Sequence, residues 1–167
     1  MIGSAMQPKD LLPRARLTEN TVLRSSCPMS YTLEMVRDSW SLLIVRDIVY
    51  FGKKTFGEFR TSQEGIARNI LSNRLARLVE QGILTRRPHP DDGRKDLYEL
   101  TETGLDLIPI LLAMAKWGAT HFAESDAPPE WIQLVRSRRN KMTTLICDTV
   151  RSGGATFAGE NSAVSKL

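Results

Sequence analysis

Gly65-Ile-Ala-Arg-Asn-Ile-Leu-Ser-Asn-Arg-Leu-Ala-Arg-Leu-Val-Glu-Gln-Gly82 is the stretch whose reading decides the fold. Leu71, Leu75 and Leu78 recur at four- and three-residue spacing, with Ile70 and Val79 beside them. One stripe of a helix from about Ala67 to Gln81 therefore turns inward. Gly82 stands where a helix-ending residue with left-handed backbone belongs. At about 100° per residue from Leu71, Asn69, Asn73, Arg77 and Glu80 fall close to the opposite face. Ser72 and Ala76 flank that face, and Arg68 and Arg74 lie at the edges of the inner stripe. Directly after the helix, Leu84–Arg87 and Leu97–Leu100 read as two short strands. The loop between them, Pro88-His-Pro-Asp-Asp-Gly-Arg-Lys-Asp96, holds an Asp-Gly turn signal. In the second strand Tyr98 and Leu100 share a face, with Glu99 on the other.

Upstream, Trp40, Leu43, Ile44, Ile48 and Phe51 mark a helix with Gly52 at its C-cap, and Pro28 opens a short helix, roughly Tyr31–Val36. Thr55 is the N-cap expected for a short helix through Ser62, with Phe56 and Phe59 on its buried side. Downstream, Thr101 caps a long helix to about Phe122, which Pro109 either bends or starts. After the break at Asp126-Ala-Pro-Pro129, Glu130–Arg151 reads as a final helix. The expected organisation is a flexible arm over 1–26, with a short helix near Leu11–Leu17, and a winged helix-turn-helix domain over 27–122. An extra helix within 123–151, expected to dimerise, and a Gly- and Ser-rich disordered tail over 152–167 follow. The fold class is mainly α with a small β-hairpin wing (α+β).

Composition agrees with one globular domain: 167 residues, 41% hydrophobic and 25% charged, enough to bury a core. No run approaches the ~18 apolar residues of a membrane span, since Trp40–Phe51 is broken by Arg46-Asp47. The N-terminus lacks the basic-then-apolar pattern of a signal peptide, and Cys27 and Cys147 form no CxxC pair. A cytoplasmic location, with no membrane partner, is the expectation. Catalysis finds no machinery: there is no Gly-x-Ser-x-Gly elbow and no acid pair with a base. Gly52-Lys-Lys-Thr55 is similar to the end of a phosphate-binding loop, but Asp47 replaces the leading glycine. His89 and His121 lie far apart without supporting ligands, so neither a metal nor a cofactor is expected.

Charge is informative once located. Gly52–Asp96 holds ten basic residues against six acidic ones, a surplus equal to the whole chain's net charge of +4. That points to a polyanion-facing surface, against the plainer reading of a solvated face. Two short helices, a turn, a longer helix and a β-ribbon make a helix-turn-helix with a wing. A helix fits the major groove of double-stranded DNA, where Asn pairs with adenine, Arg with guanine or phosphate, and Ser with either. Asn69, Asn73 and Arg77 are thus candidate base readers, with Arg68, Ser72 and Arg74 beside them. Arg94 and Lys95 at the wing tip are candidate minor-groove or phosphate contacts. A winged-helix module that binds protein and no DNA is the alternative.

Several motifs in order carry a family resemblance. They are Cys27-Pro28, Trp40-Ser-Leu-Leu-Ile-Val-Arg-Asp47, Phe56-Gly-Glu-Phe-Arg60, the Gly65–Leu75 run, Gly82-Ile-Leu84, Tyr98-Glu-Leu-Thr-Glu-Thr-Gly104 and Ala115-Lys-Trp117. Over Cys27–Phe122 the chain resembles the HxlR-type winged-helix regulators, bacterial relatives of the MarR group. The resemblance implies a homodimeric DNA-binding transcriptional regulator, most often a repressor, that dimerises through terminal helices and binds pseudo-palindromic operators. Some relatives sense electrophiles or oxidants with a cysteine at the place of Cys27. This makes Cys27 a candidate sensor, with Arg24 near enough to lower its pKa, and an electrophile or small molecule the candidate effector. A small semi-buried packing residue is the alternative, and Cys147 reads as packing.

Three departures stand out: Arg37-Asp38 occupies the place of a small or glycine-containing pair, the wing reads Asp-Asp-Gly-Arg-Lys, and both ends run long. The helix Thr101–Phe122 is apolar on two sides, which asks for two partners. A dimer interface over Ala115, Trp117, Ala119, Phe122, Trp131 and Leu145 is expected, with Trp117 and Trp131 as anchors. The cluster Arg136, Arg138, Arg139 and Lys141 reads as a solvated face, with DNA phosphates as the alternative.

Overall fold

A computed structural model describes residues 23–167; the short helix expected near Leu11–Leu17, and most of the arm around it, fall outside them. Pro28 at the first position starts α1 (Pro28–Val36), with Cys27 as its extended N-cap. Asp38 then caps α2 (Ser39–Phe51), its Oδ1 accepting from Ser41 N at 3.1 Å. A capping box opens α3 (Phe56–Phe59): Thr55 accepts from the Glu58 amide, and Glu58 Oε2 accepts from the Thr55 amide at 2.7 Å. The predicted recognition helix is α4 (Arg68–Glu80), ended by Gly82 at φ 72. Its inner residues Leu71, Leu75 and Leu78 are fully buried against Ile44, Val45, Ile48 and Val49 of the shared core.

The hairpin pairs β1 (Leu84–Pro88) with β2 (Asp96–Leu100) antiparallel, in a register from Leu84↔Leu100 to Pro88↔Asp96. A bridge from Thr55 to Leu97 joins the hairpin to the start of α3 and buries Leu97. Beyond β2 the chain turns tightly under the hairpin: a Cβ on Gly104 would lie 2.3 Å from the Ile83 carbonyl oxygen. Only glycine fits there.

The single helix expected over Thr101–Phe122 is two, α5 (Glu102–Leu105) and α6 (Ile108–His121). Pro109 has no amide to donate to the Leu105 carbonyl, so the ladder restarts at the proline. The Cys147 thiol approaches that carbonyl instead, at 3.9 Å. The expected final helix is likewise two, α7 (Pro129–Ser137) and α8 (Arg139–Arg151), broken at Arg138 (φ −133, ψ 37). Ser137 Oγ donates back to the Gln133 carbonyl, a local competitor to helix continuation. The bend lets Trp131, Ile132 and Val135 of one helix and Met142 and Ile146 of the other reach the same core.

Residues 152–167, read from composition as a disordered tail, are ordered over the end of α2. Thr156 N and Oγ1 both donate to the Val49 carbonyl, at 2.8 and 2.9 Å, and Phe157 N donates to the Tyr50 carbonyl at 2.9 Å. The last carbonyls of a helix have no partner in their own ladder, and the tail satisfies two of them. Ala155, Thr156 and Ala163 are buried there, and the segment closes with a 3-10 turn over Val164–Lys166. No described helix is long and apolar enough to cross a membrane.

Candidate nucleic-acid interface

On α4 the side chains of Asn69, Ser72, Asn73, Ala76 and Glu80 are exposed, as the periodicity predicted, and so is Arg68, expected at the edge of the inner stripe. Arg68 lies over the Phe56 ring, 5.8 Å from its centre, which fixes the guanidinium at the start of the helix. Arg68, Ser72, Ala76 and Val79 form one wall of a cleft of about 960 Å³; Arg86, His89, Arg94, Lys95 and Asp96 of the hairpin form the other, over Phe56 and Tyr98. The helix face and the wing are therefore brought together along one groove.

Arg77 and Arg74 are placed differently from the expectation. Arg77, expected to face outward with Asn69 and Asn73, is half-buried, and its Nη2 donates to the Glu34 carbonyl on α1 at 3.1 Å. Burial, then the neighbouring Arg37 and Arg74, pulls its pKa below the usual arginine value. Arg74 Nε sits 2.5 Å from Asp38 Oδ2, and its Nη1 donates to Asn73 Oδ1 at 2.7 Å. A helical wheel drawn from Leu71 does not include α1, whose C-terminal end occupies this side.

The wing is charge-balanced. Arg86 pairs with Asp96 at 2.7 Å, Arg87 with Glu99 at 2.9 Å, and Arg94 and Lys95 share Asp92 at 3.1 and 3.2 Å. Hydrogen bonds from Arg94 hold the Asp92 carboxyl below the usual carboxylate range, and those from Arg87 and Lys54 do the same for Glu99. The positive surplus read from the sequence instead reaches the surface at Arg60 and Arg68, which have no carboxylate partner among the described residues.

An ion network lies at the end of α2. Buried Asp47 holds Arg46 Nη2 at 2.5 Å and Lys53 Nζ at 3.0 Å, and accepts from Ser62 Oγ. Arg46 also pairs with Glu64, whose carboxyl it pulls down to about 2. This ties the end of α2 to the turn that enters α4. Lys53 is thus a structural ion, Lys54 pairs with Glu99 at 3.1 Å, and Thr55 is a cap, so the Gly52–Thr55 run forms no phosphate loop. Arg86 and the acceptor Glu34 were not singled out from sequence; Phe56 was read only as a buried side chain, and Asp38 only as part of an unusual pair. The Asp38 signal was there, an Asp directly before an apolar helix.

Cys27 is exposed at the N-cap of α1, and the amides of Ser30 and then Met29 lower its pKa. Arg24 does not cause this; it pairs with Glu34 at 3.1 Å. Cys147 is half-buried, and burial pushes its thiol up.

The expected dimer residues divide. Trp117 and Phe122 are 68% and 56% exposed, and with Ile110 and Met114 they leave the outer face of α6 uncovered. Ala115, Ala119 and Leu145 are half-buried on the chain's own core. Trp131 is 5% exposed, its ring edge-on to Tyr50 at 5.6 Å and tilted to Phe157 at 5.4 Å, so it anchors this chain's core rather than a partner's surface.

An exposed helix face beside a two-stranded hairpin, carried on a preceding helix and turn, defines a winged helix-turn-helix protein. More particularly, the chain matches the HxlR-like helix-turn-helix family over residues 35–126, more than half its length, and it belongs to that family. It is 38% identical over 97 residues to the HTH-type transcriptional regulator Rv3095 of Mycobacterium tuberculosis, covering 58% of this chain and 60% of that protein. The match thus spans three fifths of that relative's length. Among solved structures it is similar to the transcription-factor candidate PA1607, at 41% identity and TM-score 0.56, covering 63% of this chain and 72% of that one. The redox regulator HypR in its oxidized form is similar at 32% identity and TM-score 0.51, covering 57% of this chain and 97% of that one. Helices α7 and α8 and the tail lie beyond the matched residues.

Proposed function

We propose that this chain is a sequence-specific, double-stranded-DNA-binding transcriptional regulator that acts as a homodimer on a pseudo-palindromic operator, most simply as a repressor. The observation that carries this reading is the exposed face of α4: Arg68, Ser72 and Ala76 line the same groove as the hairpin, with exposed Asn69 and Asn73 beside them. Asn and Ser side chains can pair with base edges in the major groove, while Arg68, Arg94 and Lys95 supply phosphate contacts. A single α4 offers too few contacts for tight binding, so two copies must reach half-sites about one helical turn of DNA apart. The uncovered α6 face of Ile110, Met114, Trp117 and Phe122 is the surface we assign to that dimer.

The charge-balanced wing favours the second reading, a protein-binding module without DNA affinity. Titration of labelled duplexes separates the two. Asn73→Ala is expected to cost about 1–3 kcal/mol at the preferred site and to relax base preference, while Lys95→Ala weakens all sequences alike and flattens the salt slope. Equal loss on preferred and random duplexes for Asn73→Ala removes it from base readout. Cys27 is the proposed site of effector chemistry: an aldehyde or quinone shifts operator affinity in the parent and not in Cys27→Ser. An identical response in both proteins assigns Cys27 no such role.

A further inference from the structure

The two arginines withdrawn from the groove face end on one short segment. Arg77 donates to the Glu34 carbonyl at 3.1 Å, and Arg74 lies 2.5 Å from Asp38. Glu34 and Asp38 bracket the elbow between α1 and α2. A third contact follows on the same side of α4, where fully buried Gln81 places Nε2 3.9 Å from Met35 Sδ. Arg74, Arg77 and Gln81 are spaced by three and four residues, so α4 is held along one stripe.

The elbow is itself built tightly. Arg37 takes φ 42, a backbone conformation that non-glycine residues rarely adopt. Buried Glu34 pairs with Arg24 at 3.1 Å and Arg37 at 3.6 Å. Asp38 uses one oxygen to cap α2 and the other to hold Arg74. Three guanidinium groups (Arg24, Arg37, Arg74) thus converge on the two carboxylates of one turn, and a fourth, Arg77, reaches its Glu34 carbonyl.

We propose that this elbow is a clamp that sets the angle of the recognition helix, with Arg74 and Arg77 as positioning residues that act through Asp38 and the Glu34 carbonyl rather than by touching bases. The proposal rests on the reading of α4 as a DNA-recognition helix. From Arg74 back to Arg68 the helix rises about 9 Å, so a tilt of about 10° about the clamp moves its leading end by about 1.5 Å. That is enough to break a bidentate base contact. Helix α1 also carries exposed Cys27, Met29 and Leu33, so whatever engages that surface acts on α4 through the same elbow.

The test uses the full chain and a duplex selected from a random pool. Asp38→Asn keeps the capping oxygen and removes the charge. With Arg74→Met it forms a double-mutant cycle, and Arg74→Lys is the conservative rescue. Each single change is expected to lower operator affinity about tenfold, with the double variant no weaker than either single one. Arg74→Lys recovers most of the loss, the salt slope stays as in the parent, and any weakening of base preference is the same in Asp38→Asn as in the arginine variants. Amide hydrogen exchange without DNA gives a second reading: residues 68–80 exchange faster in Asp38→Asn and Arg77→Met, with the thermal midpoint near that of the parent. The clamp is overturned if Asp38→Asn binds like the parent while Arg74→Met or Arg77→Met relaxes preference at one base pair or cuts the salt slope by about one. Unchanged exchange over 68–80 also overturns it. A parent that selects no DNA, with faster exchange in the variants, refutes the DNA reading and keeps the clamp.

Discussion

Arg37→Gly is expected to stabilise this protein even though it deletes a charged side chain. Arg37 follows α1 with φ 42 and ψ −34, while its amide donates to the Leu33 carbonyl at 2.7 Å. A non-glycine residue held in such a region costs on the order of 1–3 kcal/mol, which glycine avoids for lack of a Cβ. Against this stand two losses. The unfolded chain gains freedom worth about 0.4–1 kcal/mol on substitution by glycine. The Arg37–Glu34 contact, long at 3.6 Å and with Arg37 more than half exposed, contributes no more than about 0.5 kcal/mol. At mid-range values the balance is a gain of about 1 kcal/mol. Urea unfolding reads it as a midpoint raised by several tenths of a molar, for a slope of about 2 kcal/mol/M. Arg37→Ala is the control: it removes the same charge but keeps the Cβ, so it should not stabilise. If alanine and glycine shift the midpoint equally, or glycine lowers it, backbone strain at this elbow is refuted.

Trp117→Asp is expected to leave the fold intact and to split the proposed dimer. Trp117 is 68% exposed; for a side chain of roughly 250 Å² at about 25 cal/mol/Å², its cover is worth up to about 4 kcal/mol per copy. Sedimentation checks this, and a dimeric Trp117→Asp protein moves the interface elsewhere. Leu145→Asp, by contrast, puts a carboxylate against the chain's own core, so it should lower the thermal midpoint sharply rather than merely dissociate the proposed dimer. Cys27 should alkylate faster than Cys147 at neutral pH, because helix amides lower the first thiol's pKa while burial raises the second's. Peptide mapping after brief iodoacetamide treatment decides it. Glu64 is pulled from 4.5 to about 2 by Arg46, so its stabilisation is fully present above pH 4.5 and is lost as pH falls toward 2. After allowance for solvent at this partly exposed pair, about 1–2 kcal/mol should disappear over that window. The same pH titration of Glu64→Gln should be flatter, and equal curves would deny the pair this role.

The recognition helix was legible because its apolar period, the glycine at its end and the paired short strands after it all agree. Asn69, Ser72 and Asn73 followed from about 100° per residue alone. Arg77 did not, although the same wheel puts it near the outward face, because only the presence of α1 decides where such a residue turns. Trp131 shows a second limit: an apolar stripe records that a residue is buried, not whether its own chain or a partner buries it. The tail over 152–167 was misread because Gly, Ala and Ser look featureless in composition. In the fold Thr156 and Phe157 bond the open end of α2, with the small Ala155 and Ala163 buried beside them. The breaks at Pro109 and Arg138 differ in kind. The first was signalled by proline chemistry, while the second comes from two short helices sharing one core.

Selection of duplexes from a random-sequence pool by the purified protein, followed by sequencing, tests the central claim most directly. The account predicts strong enrichment of a two-fold symmetric site, with half-site centres about 10 base pairs or a multiple of that apart. Asn73→Ala should blur preference inside each half-site while leaving the spacing unchanged. A bound fraction whose sequences match the input pool, at low salt as well as moderate salt, would contradict sequence-specific recognition by α4.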